Sequence, residues 1–467
     1  MSARPGRSST AGWVLVPLAL AQFICSFAGS NMNVMLNDMS RELGTTVAGI
    51  QLSITLFLLT MAALMVPFSK LSDIIGRKVC FLIGLAVYGL GALLSAAAPG
   101  LGVLIIGNSI LEGAGTALLI PPVYILVTLY WKDLRGRARS FGIVSAAGGI
   151  GAAIGPLIGG WICSTISWRA AFGFQALVIV VIILFAIGLR DPLPADHKRP
   201  YDVIGALLSG VGLIAFVLGI VVADDDFLIA AGLLVFGALV IAGFFAWVHH
   251  RERRGREPLL STSLFRNRTS NVGLITQNLQ WLLLMGVSFL VSSHLQVVRQ
   301  YDAVDTGLIF TAATLGILVS SLAAGRLVRI LAQRTLIVTG FLVTAAGVLL
   351  LLLVGTVPGA WPFVPGLLVI GLGLGVMLTP SVNIVQSAFP ERQQGEISGL
   401  SRSISNLGSS FGTAIVGALL GLGAQGPADR YILAMAPLVV VAIVGAIVAT
   451  RLPGGVAAAR QGAPAPA

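Results

Sequence analysis

One acidic residue of the chain, Glu112, lies near the middle of an apolar stretch. The 467 residues include 18 Asp and Glu, and all except Glu112 fall in loops, tails or the ends of apolar stretches. An ionised carboxylate at the centre of a bilayer costs about 3 kcal/mol or more, so such groups face a bundle interior or an aqueous cavity. Asn108 and Thr116, four residues to either side, are predicted to share its helical face.

Two roles for Glu112 follow from this position. Removal from water favours the neutral carboxyl, as expected of a group that loads and releases a proton. The other interpretation is a permanently protonated side chain that hydrogen-bonds a neighbouring helix and does nothing else. Both interpretations stay open, and Glu112 is the candidate for proton coupling.

A polar segment at residues 69–78 separates two apolar stretches and is predicted to form a tight turn. It contains Asp73, Gly76, Arg77 and Lys78. The preference of basic residues for cytoplasmic loops explains Arg77 and Lys78. It does not explain an aspartate, Asp73, three residues before Gly76.

A second pattern consists of small residues in one apolar stretch. Gly151, Gly155 and Gly159 are spaced by four, next to Pro156 and Gly160. This spacing lets helices approach closely, and proline bends a helix. Simple close packing explains the pattern as well as any functional role does.

Polar side chains in other apolar stretches, together with a methionine and a tryptophan, are candidates for lining a cavity for amphipathic molecules. Such stripes also form hydrogen bonds between helices, which is the competing interpretation. Three roles are open for Arg402: it could lie at the membrane interface, pair with Asp73 or contact an anion. The candidates are Gln22, Ser26, Ser30, Asn33, Asn108, Thr116, Gln277, Trp281, Met285, Asn383 and Arg402.

The elements that position these residues are predicted from composition. The chain is 56% hydrophobic and only 10% charged, too few charges to cover a soluble surface. Windows of about 20 apolar residues predict an all-α membrane protein of fourteen transmembrane helices. The windows are 13–35, 47–69, 79–98, 101–128, 139–162, 170–190, 202–223, 227–248, 270–296, 306–325, 335–355, 362–387, 397–421 and 431–450.

The basic residues predict the orientation of these helices. If the N-terminus is cytoplasmic, 25 of the 29 Lys and Arg fall on the cytoplasmic side, a strong positive-inside bias. Both termini are then cytoplasmic, and the first span is retained because it is too long for a signal peptide. The net charge of +11 follows from this bias, so nucleic-acid binding is not predicted.

The two halves of the chain repeat one another. Residues 112–122 parallel 370–380, and Gly151 with Gly155 parallels Gly408 with Gly412. We therefore predict a six-helix bundle at 1–199, two inserted helices with a cytoplasmic linker at 200–268, a second six-helix bundle at 269–452, and a disordered tail at 453–467. Parallel repeats of this kind are typical of secondary transporters.

Three stretches resemble the major facilitator superfamily, specifically its fourteen-span drug:proton antiporter branch. They are the Asp73-x-x-Gly76-Arg77-Lys78 segment, the Gly151-x-x-x-Gly155-Pro156-x-x-Gly159-Gly160 stretch, and the segment from Gly395 to Gly412. The resemblance implies a gating loop whose Asp73 docks on the helix end at 397–402, where the helix dipole favours a carboxylate. It also implies that the glycine-rich helix seals against leak and flexes between the halves.

Two positions depart from that branch. Ala28 aligns with a frequent acidic residue of the first span, and Ser109 and Glu112 stand where Arg and Gln are usual. The embedded charges of this chain therefore differ from the pattern of the branch.

The implied function is proton-coupled export of drugs or amphipathic molecules by alternating access, from a bacterial plasma membrane. A dedicated exporter of one metabolite or antibiotic is the alternative, and a non-transporting sensor or assembly factor is a third reading. The expected partners are a small-molecule substrate, protons and lipids, with a monomeric chain and no enzymatic activity. No cofactor or metal site is predicted, because no phosphate-binding loop and no metal-ligand spacing of Cys25, Cys80 and Cys163 is present.

Overall fold

Long apolar helices form most of the described part of the chain. The computed structural model describes residues 7–131, 134–192, 200–222, 226–328, 330–355, 357–390, 393–421 and 426–454. Within these residues, fourteen helices are long and apolar enough to cross a membrane, which confirms the predicted architecture. They are α1 Trp13–Val34, α2 Val47–Ile75, α3 Arg77–Ala96, α4 Leu101–Tyr130, α5 Ser140–Thr165, α6 Trp168–Ala186, α7 Val203–Ile220, α8 Phe227–Arg253, α9 Arg268–Val298, α10 Ala303–Leu327, α11 Gln333–Val354, α12 Phe363–Gln386, α13 Glu396–Gly421 and α14 Asp429–Ala449.

Several helices begin at residues that satisfy their free N–H groups. The side chains of Thr46, Ser167 and Asp302 each accept a hydrogen bond from the N–H three residues later, at the starts of α2, α6 and α10. Such caps stabilise a helix start by about 1 kcal/mol. Polar loop residues thus fix where several apolar helices begin.

The N-terminal half (α1–α6) and the C-terminal half (α9–α14) use the same packing pattern. α1 packs on α5 as α9 packs on α13, and α2 packs on α4 as α10 packs on α12. α3 contacts α4 and α6 as α11 contacts α12 and α14. The halves meet along two seams, α2 with α13 and α5 with α10, so each seam pairs one helix from each half. The domain boundaries and the placement of the termini stay predictions, and residues 455–467 of the predicted tail lie outside the described residues.

The inserted helices α7 and α8 pack on each other, and α7 also contacts both α2 and α13. Asp202 anchors the pair, because its buried carboxylate accepts hydrogen bonds from Gly205 N at 3.0 Å, Trp247 Nε1 at 3.0 Å and Leu259 N at 3.0 Å. The inserted pair therefore lies against the α2–α13 seam, with its following linker tied to the start of α7.

Candidate functional site

Glu112 is completely buried inside the N-terminal half. Ser95 Oγ on α3 donates a hydrogen bond to Glu112 Oε1 at 3.2 Å, and the Tyr88 hydroxyl lies beside the carboxyl. Glu112 Oε2 has no hydrogen-bond partner in the described part of the chain. A buried polar oxygen without a partner carries a full desolvation cost, so this carboxyl is poorly satisfied by its surroundings.

Two glycines bring α3 and α4 into backbone contact around this carboxyl. A Cβ on Gly91 would lie 2.7 Å from Glu112 N, and a Cβ on Gly107 would lie 2.8 Å from Ser95 N. Beyond Glu112, the buried Tyr88 hydroxyl donates to Gln175 Oε1 on α6 at 2.5 Å. Ser95, Glu112, Tyr88 and Gln175 therefore form a continuous polar chain in an otherwise apolar core.

A π-helical segment over Ile105–Glu112 changes the expected geometry of α4. The side chains of Asn108 and Ser109 bond Ser53 on α2 at 3.3 and 2.8 Å, whereas Glu112 faces α3. The Thr116 hydroxyl donates to the Glu112 carbonyl of its own helix at 2.8 Å. Asn108 and Glu112 therefore bond different helices, α2 and α3, although they lie about one turn apart on α4. π-helical segments are frequent at functional sites.

An ion pair joins the two halves at the α2 C-terminal end. Lys70 is 5% exposed, and its Nζ lies 2.9 Å from Glu396 Oε1 on α13 and 3.8 Å from Glu257 Oε2 in the linker after α8. A cavity of about 10 Å³ adjoins the pair, the size of about one water molecule, lined by Val66, Ser69, Lys70, Asp73, Leu259 and Glu396. One ammonium thus connects the N-terminal half, the linker and the C-terminal half.

The predicted turn at 69–78 is mostly helical. α2 continues to Ile75, and the chain reverses only at Gly76, whose φ of +99° suits glycine. Asp73 Oδ1 accepts a hydrogen bond from the Arg77 guanidinium at 2.7 Å. Arg77 N donates to Asp191 at 2.7 Å, and Lys78 Nζ donates to Ile187 O at 2.8 Å. These contacts hold the segment to its own half, and the docking of Asp73 on α13 stays a prediction.

Hydroxyl and amide groups continue the α2–α13 seam beyond the ion pair. Ser403 Oγ donates to Ala62 O at 2.5 Å. The Thr55 and Thr413 hydroxyls lie 3.0 Å apart, and Gln51 Nε2 donates to Thr413 O at 2.9 Å. The seam is therefore held by polar contacts over most of its length.

The opposite end of the bundle is closed by α1 and α9. Gln296 Nε2 donates to Asn33 O at 2.6 Å, and the Ser292 hydroxyl also bonds that carbonyl. Asn37 N donates to Gln296 Oε1 at 3.4 Å. Contacts between the halves are thus present at both ends, so this is a closed arrangement.

The glycines of α5 contact two different partners. A Cβ on Gly151 would overlap the Phe23 carbonyl oxygen, and a Cβ on Gly159 would lie 2.9 Å from Asn31 Cβ, both on α1. A Cβ on Gly160 would instead overlap the Ala303 carbonyl oxygen of α10. Gly155 adjoins Ser30 of α1, and the Pro156 carbonyl adjoins Gly307 of α10. One face of α5 therefore packs within its half, and the other packs across the seam.

Arg402 lies between the two halves. Its guanidinium carbon is 4.5 Å from the ring centroid of Tyr124 on α4, and it donates a hydrogen bond to the Tyr124 hydroxyl. The Tyr124 hydroxyl donates to Gln22 Oε1 at 3.2 Å, and Gln22 Nε2 donates to Ser26 Oγ at 3.2 Å. Arg402, Gln22 and Ser26 are therefore brought together, and Asp73 is not the partner of Arg402.

The remaining cavity candidates have mixed surroundings. Gln277 is buried and bonds Ser381 O at 2.9 Å and the Ser401 hydroxyl at 2.7 Å, so it holds helices of the C-terminal half together. Met285 is buried, Trp281 is partly buried and Asn383 is exposed. The Ser30 hydroxyl bonds its own helix at Phe27 O, at 3.1 Å.

Sequence reasoning missed Lys70, Glu396 and Tyr124 as site residues. Lys70 and Glu396 stand at the ends of predicted spans, where a charge is ordinarily explained by topology. Tyr124 lies in an apolar run, where a tyrosine is usually read as core. Among the described residues, no cluster of His, Cys, Asp or Glu is arranged to hold a metal ion.

Two six-helix halves of matching packing, joined along two seams and closed at both ends, define a secondary transporter. The chain belongs to the Major Facilitator Superfamily, whose family model matches residues 18–413 and 273–466. It is a multi-pass cell-membrane transporter of small molecules and not an enzyme.

Named relatives support this assignment. The chain is 31% identical to the puromycin resistance protein pur8 of Streptomyces alboniger over 414 residues, covering 86% of this chain and 80% of that protein. It is 27% identical to the multidrug efflux pump LfrA of Mycolicibacterium smegmatis, covering 88% and 82%. The solved structure of the human organic anion transporter MFSD10 (TETRAN) matches the fold with a TM-score of 0.65 at 15% identity, covering 96% of this chain and 100% of that one.

Proposed function

We propose that the protein exports amphipathic drug-like molecules from the cytoplasm and that a counterflow of protons drives this export. The observation that carries the proposal is the buried Glu112 carboxyl inside a transporter fold closed at both ends. Relatives named for multidrug efflux and antibiotic resistance support the substrate class. The chain acts as a monomer, and the proton gradient replaces any cofactor as the source of energy.

Glu112 carries the coupled proton in this proposal. Its carboxyl is bonded by one serine, lies beside a tyrosine and has an unsatisfied oxygen, so a proton has a place to bind. The Tyr88–Gln175 pair extends the polar chain toward α6 and offers a path away from the carboxyl. The runner-up role, a permanently neutral structural acid, predicts no effect of Glu112 on coupling.

The Lys70–Glu396 pair holds the bundle closed at the end expected to face the cytoplasm. Because Lys70 belongs to α2 and Glu396 to α13, the pair must break whenever the halves separate there. Asp73 and Arg77 position the end of α2 that carries Lys70. Rocking of the halves then exposes the substrate alternately to the two sides.

Replacing Glu396 by Gln is expected to favour opening of this end. A partly buried ion pair contributes about 1–2 kcal/mol, so the open population should rise roughly tenfold. The measurement is the labelling rate of a cysteine at Ser403 in a protein lacking its three native cysteines. We expect Glu257→Gln to give a smaller change, because Glu257 is farther from Lys70 and 48% exposed.

A charge reversal provides the control for this prediction. In a Glu257→Gln background, which removes the acid that also faces Lys70, the double variant Lys70→Glu with Glu396→Lys restores the pair with opposite polarity and should return labelling toward the wild-type rate. Equal labelling of wild type and Glu396→Gln, or no recovery in the double variant, contradicts the latch.

The export function itself is tested by drug susceptibility. Expression in a pump-deficient bacterium should raise the inhibitory concentrations of several unrelated amphipathic drugs. Protection against one compound alone favours the second candidate, a dedicated exporter, which relatives such as the cephamycin export protein of Amycolatopsis lactamdurans also support. Normal membrane insertion without any protection contradicts both.

A further inference from the structure

We propose that Arg402 binds the negative charge of transported molecules, so that the substrates of this exporter include amphipathic aromatic acids. This inference rests on the proposed export function and names a substrate class for it. It concerns a guanidinium between the two halves, where a moving substrate would pass.

The charge of Arg402 has no opposite charge beside it among the residues that the structure describes. In the described part of the chain, no carboxylate lies within ion-pairing distance of its guanidinium. Glu396, six residues earlier on α13, pairs with Lys70, and Asp73 pairs with Arg77. Placing an uncompensated guanidinium within a membrane protein is costly, so such groups mark paths of ions or substrates.

The hydrogen bonds of Arg402 are equally incomplete. A guanidinium carries five N–H donors, and within the described residues Arg402 donates only to the Tyr124 hydroxyl. Several donors therefore stay available in a region between the halves. A carboxylate matches two adjacent guanidinium donors in a planar, bidentate arrangement, and such charge-assisted pairs are among the stronger hydrogen bonds in proteins.

The surroundings of Arg402 specify more than a charge. The Tyr124 ring stacks with Phe141 of α5, with ring centroids 5.8 Å apart, and its other neighbour is the amide of Gln22. Aromatic faces next to a guanidinium suit a ligand with a flat apolar body and an acidic group. This location would give a substrate access to Arg402. Separation of α13 from α4 would break the Arg402–Tyr124 contact and leave the guanidinium facing the opening.

A competing role is that Arg402 fastens the halves together through Tyr124. A fastening contact acts on every substrate alike, because it changes the opening of the transporter and not the recognition of its cargo. An anion site acts only on substrates that carry the acid. Pairs of molecules that differ in one carboxyl group therefore separate the two roles.

The test uses two xanthene dyes that each carry one free carboxylate, rhodamine B and rhodamine 110, each with its ethyl ester. Binding to purified protein and export from cells are measured at pH 7 for wild type, Arg402→Gln and Arg402→Lys. Losing a charged hydrogen-bonded contact should weaken binding and export of the acids about 10- to 100-fold while changing the esters less than about threefold. Arg402→Lys keeps the charge, so its binding and export of the acids should lie between those of the wild type and those of Arg402→Gln. Arg326→Gln, an exposed arginine at the end of α10, is the control.

Each outcome decides the inference. Selective loss of the acids supports the anion site. Equal losses for acids and esters assign Arg402 to fastening, and unchanged acid binding removes it from the substrate path. A wild type that exports the esters but neither binds nor exports the acids overturns this inference and leaves the export function standing. Export of no dye and no drug contradicts the export function itself.

Discussion

Replacing Glu112 by Gln is expected to abolish export driven by a proton gradient while leaving the protein folded and inserted. The amide has nearly the shape of the carboxyl and can still accept the hydrogen bond of Ser95, but it cannot take up a proton. In liposomes carrying the purified variant, dye transport driven by an imposed pH gradient should fall to the level of protein-free liposomes. Exchange of dye between equal concentrations on the two sides should continue.

Asp305→Asn is the matched control for this substitution. Asp305 is an exposed acid in the first turn of α10, so its loss removes one negative charge outside the proposed path. Undiminished gradient-driven transport by Glu112→Gln would assign Glu112 to structure alone.

A valine at Gly160 should block transport by preventing the halves from closing at one end. A Cβ there overlaps the carbonyl oxygen of Ala303 on α10, and backbone cannot move aside as a flexible side chain can. α5 must then retreat from α10, which should expose the contacts of Asn33 with Ser292 and Gln296. We expect transport near background and faster labelling of a cysteine placed at Ser292.

Gly173→Val tests whether this effect comes from the seam. Gly173 on α6 has open space where a side chain would stand, so the same change in helix propensity should leave transport close to wild type. Full transport by Gly160→Val contradicts the close contact of α5 with α10 as a requirement for function.

Most of the fold follows from the sequence because crossing a bilayer demands about 20 apolar residues in succession. The windows locate all fourteen helices, and the differences lie at their ends. The apolar window predicts that α2 ends at residue 69, whereas the helix continues to Ile75. A hydropathy window locates only the part of a helix that lies in the hydrocarbon of the bilayer. The helix itself continues through the polar residues beyond that part and ends at Gly76.

The details of the site depend on contacts that no local pattern encodes. The rarity of a mid-span carboxyl identifies Glu112, but its neighbours Ser95 and Tyr88 follow from the close packing of α3 on α4. Lys70 and Glu396 are 326 residues apart, so only the packing of α2 on α13 pairs them. Spacing alone leaves three roles open for Arg402, and the location of Tyr124 removes the pairing with Asp73.

Coupling of proton flow to export through Glu112 is the property on which the proposed function depends. The most direct measurement uses liposomes containing the wild-type protein, a pH-sensitive dye inside and an amphipathic drug gradient across the membrane. Movement of the drug down its gradient should drive protons in the opposite direction, and an imposed pH gradient should concentrate the drug against its own. Glu112→Gln should remove both effects. Drug movement that neither drives protons nor responds to the pH gradient would contradict proton-coupled export.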